Sequence, residues 1–361
     1  MTTDLIINSD LQRHQSDVII EHAIVSLGLT CTQDVAAGSY SIGYKILDFS
    51  DGLLATLEND WKFTRLVCRV YLPSRTIARV QRSNLIDRVA HVNSRCPIGF
   101  FSIYESENGL KFNYVLPIEY ECANLVSEVV KRVIDSSIDQ VCKFAQHLLL
   151  DDSSFPWDMR FKTHRQCANE PRFESNLAEV NVDVISRIDS ILIAAYRGRG
   201  LKLHQSGSRR VWKQTLGKQR ISNSEIVLKL DAQSVGVIDV VASMNAVQAT
   251  PVQQCVLEFI ALFNEDTVPF VHMEYVHESH KYRIVGQMLC TYDEDTLSEE
   301  MVNRMLGKCS NTLWAVMPHI REVEEGLKNP YRAFAEYEKA CRTFPECLSA
   351  IRHWPFFQDL F

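Results

Sequence analysis

A set of helix stops that recurs at a nearly fixed distance constrains this chain more than anything else in it. Ile20, Ala23, Ile24 and Leu27 fall at helical spacing and Gly28 follows them; Val184, Ile188, Ile191, Leu192 and Ala195 do the same, with Gly198 after them. Leu85, Ile86, Val89 and Val92 form a second stripe that ends at Asn93. Val252, Val256, Phe259, Ile260 and Phe263 form its counterpart, ending at Asn264. Asparagine tolerates the left-handed backbone that closes a helix, so both are expected to stop their helices that way. Asn124 caps a third apolar face containing Val133 and Phe144. Thr296, with Glu299 three residues on, is expected to cap another, containing Val302 and Leu313. The three pairs of landmarks lie 170, 171 and 172 positions apart. Three such coincidences indicate an internal duplication.

Between these helices the period changes from 3.6 to 2. LLATLEND and KFTRLVCRVYL precede the second helix of the first copy, and EIVLKLD and VGVIDVVASM hold the same places in the second. A hairpin follows in each. The first reads NSRCPIGFFSIYESENGLKFNYVLPI and turns at Asn108-Gly109, a strong hairpin signal. The second reads NEDTVPFVHMEYVHESHKYRIVGQML. Phe101 and Ile103 align with Met273 and Tyr275, and Phe112 and Leu116 with Ile284 and Met288. The expected architecture is α+β: tandem units over 1–150 and 181–325, each an antiparallel sheet packed with helices. An ordered linker over 151–180 joins them, and an aromatic-rich, helical tail over 326–361 follows.

The order of elements, with an Asn ending the second helix, a Pro-Ile-Gly-Phe and an Asn-Gly hairpin, resembles the YbjN family. That family shares the fold of type III secretion chaperones. Asn93, Gly99, Phe101, Gly109, Phe112 and Leu116 carry the resemblance, which covers about residues 16–149 and, more faintly, 181–323. In the second copy Asn264 is kept, but Phe270 or Val271 stands where the family has glycine. The resemblance implies a non-enzymatic protein that binds segments of partner proteins or acts as a regulator. It also implies pairing of two units, which the duplication would supply as a pseudo-dimer inside one chain; further oligomers stay open.

The chemistry of the chain is sparse. No G-x-S-x-G, P-loop or strand-following G-x-G-x-x-G occurs, so no enzyme, metal or cofactor is expected. The segment HMEYVHESH offers His272, Glu274, His277, Glu278 and His280, read here as a polar hairpin tip. The cysteines are odd in number and scattered singly, as reduced thiols of a cytoplasmic protein are. The N-terminus has no secretory pattern, and no apolar run reaches the roughly 18–20 residues that span a bilayer.

Charge supplies the one sharp functional feature. The formal net charge is −7, yet no acidic residue lies between Asp189 and Glu225. Within that stretch stand Arg197, Arg199, Lys202, Arg209, Arg210, Lys213, Lys218 and Arg220, with Trp212 among them. Such a run is a solvated surface, or it grips an acidic protein, the chain's own first copy or a nucleic acid. The terminal WPFFQDLF, with Trp354, Phe356, Phe357 and Phe361, is too apolar for water and is expected to dock on its own chain or on a partner. The functional expectation is a protein-binding adaptor or chaperone-like regulator, with a nucleic-acid-associated regulator as the alternative.

Overall fold

A computed structural model describes residues 2–34, 38–44, 53–60, 65–72, 82–96, 98–106, 109–120, 125–149, 182–195, 202–206, 209–216, 222–230, 235–246, 254–266, 271–276, 279–291 and 296–343. The linker 151–180, Arg197, Arg199, Lys218, Arg220, His277, Glu278 and the tail aromatics Trp354, Phe356, Phe357 and Phe361 lie outside them.

The fold is α+β. Helix α1 (Thr2–Ser26) leads into four strands, β1 (Cys31–Asp34), β2 (Ser39–Tyr44), β3 (Leu53–Asp60) and β4 (Arg65–Tyr71). Helix α2 (Arg82–Asn93), the hairpin β5 (Phe100–Ser106) and β6 (Gly109–Glu119), and α3 (Ser127–Leu149) follow. The elements then come in the same order again. They are α4 (Val182–Ala195), β7 (Lys202–Ser206), β8 (Arg209–Leu216), β9 (Ser222–Leu230), β10 (Val235–Asn245), α5 (Gln254–Asp266), β11 (Val271–Val276), β12 (Lys281–Thr291) and α6 (Glu299–Glu324). A last helix, α7 (Pro330–Thr343), packs on α5 and α6.

The described strands join in one sheet whose order, β1-β2-β3-β4-β6-β12-β10-β9-β8-β7, reads like a palindrome about its middle. Strand β5 pairs with β6 and β11 with β12, off this path. Neighbours within each half are antiparallel; the halves meet where β6 and β12 run parallel, at Glu119 and Met288. Alternation along the strands sets one face of each half against its helices. Phe112, Val133 and Phe144 are buried in the first half, and Ile284, Val302 and Leu313 in the second, as the apolar spacing requires. Both sets belong to one continuous core that runs from Ile20 to Tyr337, so no gap in packing separates the halves.

Two expectations about helix ends change. Asn93 and Asn264 remain helical, and His280, with φ 47°, is the described non-glycine residue that takes a positive φ. The cap of α6 is Ser298, whose Oγ accepts from the Met301 amide at 3.1 Å. Thr296 instead accepts from the Thr291 amide at 2.8 Å, which ties the chain to the end of β12 before the helix starts.

Alignment of the hairpins also changes. The residue opposite Phe101 is Tyr114, and the residue opposite Met273 is Ile284. The second hairpin is therefore two residues shorter, and Ile284 answers to Tyr114 rather than to Phe112. The return strand β12 lies tight under α6. A Cβ on Gly286 would stand 2.2 Å from the Met305 sulfur, so glycine sets how closely helix and sheet approach.

In the first half, buried polar contacts lock α1 to the sheet. Tyr120 donates to Asn59 Oδ1 at 2.6 Å, Asn59 donates to Ser16 Oγ at 2.9 Å, and Tyr40 donates to Asp17 at 2.8 Å. Burial, with Asp17 beside it, pushes the Tyr40 phenol well above its usual range and keeps it a donor.

Candidate functional site

The described side chains with the most concentrated chemistry gather where the halves meet, between α2 and β5 on one side and α5 and β11 on the other. Each helix carries an asparagine in its last turn that grips the hairpin of its own half. Asn93 Nδ2 donates to the Phe101 carbonyl at 2.9 Å and its Oδ1 accepts from the Phe101 amide at 2.7 Å. Asn264 makes the same pair with Met273, at 3.0 and 2.8 Å. A carboxamide has one donor end and one acceptor end, so it can stand in for the backbone of a neighbouring strand. It thereby closes the outer edge of β5 at Phe101 and of β11 at Met273.

The residues before the clamped ones, Phe100 and His272, stack on each other with centroids 4.7 Å apart and planes 23° apart. Both are buried. His272 Nε2 lies 2.9 Å from Glu274 Oε1, and Glu274 also approaches Arg283 at 3.9 Å. His272 lies on a strand and shares a face with Glu274, and His280 takes the turn, where it meets the Tyr275 hydroxyl at 3.1 Å, as the strand reading of HMEYVHESH expects; what changes is that His272 is buried in the junction and not part of a polar tip. Beside the stack, the Gly99 amide donates to Gln287 Oε1 at 2.6 Å, and Gln287 donates to Asp239 at 2.9 Å. Gly99 has φ 68°, and a Cβ there would lie 2.2 Å from the Tyr114 hydroxyl. Only glycine allows both.

Charges reinforce the contact. Glu119, with a buried side chain, accepts from Arg304 Nε at 2.9 Å and from Lys308 Nζ at 2.8 Å. Burial pulls the Lys308 ammonium below its usual range, against the pull of Glu119 in the other direction. Arg82 reaches from α2 to Glu258 and Glu265 on α5, at 2.7 and 3.4 Å. The cavity between the two helix–strand pairs is small, about 30 Å³, enough for about two waters.

A second cluster holds α7 against α6. Lys328 spans Glu322, at 2.8 Å, and Glu336, and His319 lies beside Glu322 at 3.7 Å. The His319 ring nitrogen and the two carboxylates fall within 4.8 Å of one another, donors of the kind that a divalent ion takes. The ammonium of Lys328 already stands between those carboxylates. The H-x-x-E spacing of His319 and Glu322 on one helix was the signal for this group, and sequence reasoning passed over it.

Of the basic residues singled out above, Lys202 lies on β7, and Arg209, Arg210, Trp212 and Lys213 lie on β8. Strand β7 ends the sheet path at one side and β1 at the other. In the tail, Phe334 and Tyr337 of α7 are buried against Phe259 and Phe263 of α5, at ring distances of 6.0 and 5.9 Å. The described cysteines are free; Cys68 and Cys309 are buried and Cys255 is exposed. Burial pushes the Cys68 thiol up to about 12. Among the described residues no helix is long and apolar enough to cross a membrane.

No family model matches the chain, and no curated protein matches it. Among solved structures, a chain of the HopA1-SchA chaperone-effector complex is similar over 38% of this chain and 97% of its own length. The identity is 14% and the TM-score 0.28, a superposition too loose to carry an argument.

Proposed function

We propose that the chain is a non-enzymatic adaptor or chaperone-like regulator, in which a duplicated YbjN-like unit pairs with itself inside one polypeptide and holds a segment of a partner protein. The repeated element order and the palindromic sheet support the pairing. One observation carries the binding role. Helix α1 keeps Leu11, Val18 and Val25 in water, at 53%, 51% and 71% exposure, while Ile20, Ala23 and Ile24 fill the core from its other side. A spacing of seven brings successive residues back to one face of a helix, so the three form a stripe along α1. An apolar stripe on a folded helix is the form in which helix-and-groove recognition is written.

Capture with the tagged full chain, with and without nuclease, tests this reading. A protein partner is retained after nuclease and lost when Val18 and Val25 are both changed to Glu. The acid-free basic stretch favours the second reading, a nucleic-acid-associated regulator. Loss of every partner on nuclease treatment would establish that one and remove the first.

A further inference from the structure

The clasp that holds α7 to α6 leaves two of its polar atoms unmet. Lys328 donates to Glu322 Oε1 at 2.8 Å and to Glu336 Oε2, and Arg332 donates to Glu336 Oε1 at 3.2 Å. Glu322 Oε2 and His319 Nδ1 are buried, and among the described residues neither has a hydrogen-bond partner. They face each other at 3.7 Å, too far for one to donate to the other. Buried polar atoms are normally paired, so two that converge without a proton between them point to a shared ligand.

A divalent ion fits that description. Zinc holds nitrogen and oxygen ligands at about 2.0–2.2 Å, which sets two of them about 3–4 Å apart. A carboxylate oxygen of Glu336 joins the pair, all three ligand atoms lying within 4.8 Å of one another. His319 and Glu322 stand one turn apart on α6, and Glu336 comes from α7. Burial lowers the pKa of His319 and favours the neutral ring, the form that ligates. One nitrogen and two oxygen donors suit a borderline ion, whereas Mg2+ and Ca2+ prefer oxygen alone.

We propose that His319, Glu322 and Glu336 bind a divalent ion of the zinc type, which takes the place of the Lys328 ammonium and pins α7 to α6. This goes beyond the adaptor reading and does not depend on it. The Lys328 side chain is 21% exposed, and its long stem lets the ammonium move out into water. Arg332, 71% exposed, keeps its own oxygen of Glu336.

The test uses the full chain freed of metal by chelation, titrated with Zn2+ by calorimetry and with Co2+ by visible absorption. The native chain should bind one ion saturably, and Mg2+ at about 1 mM should not compete. His319→Gln and Glu336→Gln should each weaken binding at least about tenfold with unchanged circular dichroism. Lys328→Met should tighten it at least about tenfold, because the competing ammonium is gone. A clasp that is only a salt bridge predicts no such gain. Zn2+ should also slow proteolysis at the α6–α7 corner of the native chain, a readout that needs no variant to fold. Absence of saturable binding by the native chain up to about 100 µM Zn2+ would overturn the proposal. So would binding that neither His319→Gln nor Glu336→Gln weakens, binding by Lys328→Met no tighter than native, or corner proteolysis indifferent to Zn2+.

Discussion

Phe100 and His272 hold the same place in the two halves, one residue before the strand position that each half's asparagine clamps, and they stack on each other at 4.7 Å. A contact between equivalent residues is what a twofold arrangement produces on its axis. The charged ties described around it are unequal. The first half contributes Arg82 to two glutamates of the second, and Glu119 to two cations of the second. The geometry of the junction is near-symmetric and its chemistry is directional.

Truncating the stack should show this coupling. Phe100→Ala is expected to cost about 3–5 kcal/mol, as for other buried phenylalanines. In a double-mutant cycle with His272→Ala, the ring–ring term should appear as about 0.5–1.5 kcal/mol of non-additivity. Additive losses in urea unfolding would mean that the rings merely share a neighbourhood.

The asparagine clamps should tolerate no isostere. In Asn93→Asp the donor end is lost and a carboxylate oxygen faces the Phe101 carbonyl in a buried site. The expected loss is about 1–3 kcal/mol, with a similar loss for Asn264→Asp. A change under about 0.5 kcal/mol at both positions would show that the strand edges need no such partner.

Glu119→Gln should loosen the junction. Breaking a fully buried ion pair costs about 3–5 kcal/mol. Arg304 and Lys308 each keep some contact with water, which lowers the expectation to about 2–3 kcal/mol. Hydrogen exchange should rise first at the ends of β6 and β12. Unchanged protection there would place the weight of the junction elsewhere.

The clasp of α7 should respond to acid. Lys328 holds the Glu336 carboxyl below its ordinary value, so this contact stabilises the fold above the usual carboxylate range and is lost as pH falls through the depressed value. Lys328 is raised in turn, so its share persists until pH rises past the ordinary lysine range. Limited proteolysis at the α6–α7 corner should therefore accelerate below about pH 4 in the native chain, with the acid step flattened in Glu336→Gln. Identical profiles for the two proteins would remove the clasp from the pH response.

Local pattern made much of the fold legible. The stripes that include Leu85 and Val89, or Val256 and Phe259, announce helices because a helix repeats its environment every turn. The alternation around Phe101 and Met273 announces hairpins because a strand repeats it every second residue. The asparagines were visible as helix stops, but their task was misread. Nothing in a helix ending shows that a strand backbone eight or nine residues later needs a donor and an acceptor.

The sequence by itself determined which segments become helices and strands, that their order comes twice, and which side chains leave water. These follow from periodicities of a few residues and from the cost of exposing apolar surface. Only the tertiary structure decided that the two sets of strands share one sheet through a parallel contact at Glu119 and Met288. It alone made His272 the buried mate of Phe100 and brought Arg304 and Lys308 to a buried carboxylate on another element. Each of these joins positions far apart along the chain, and their meeting depends on strand register and helix packing, to which a short window of sequence is blind.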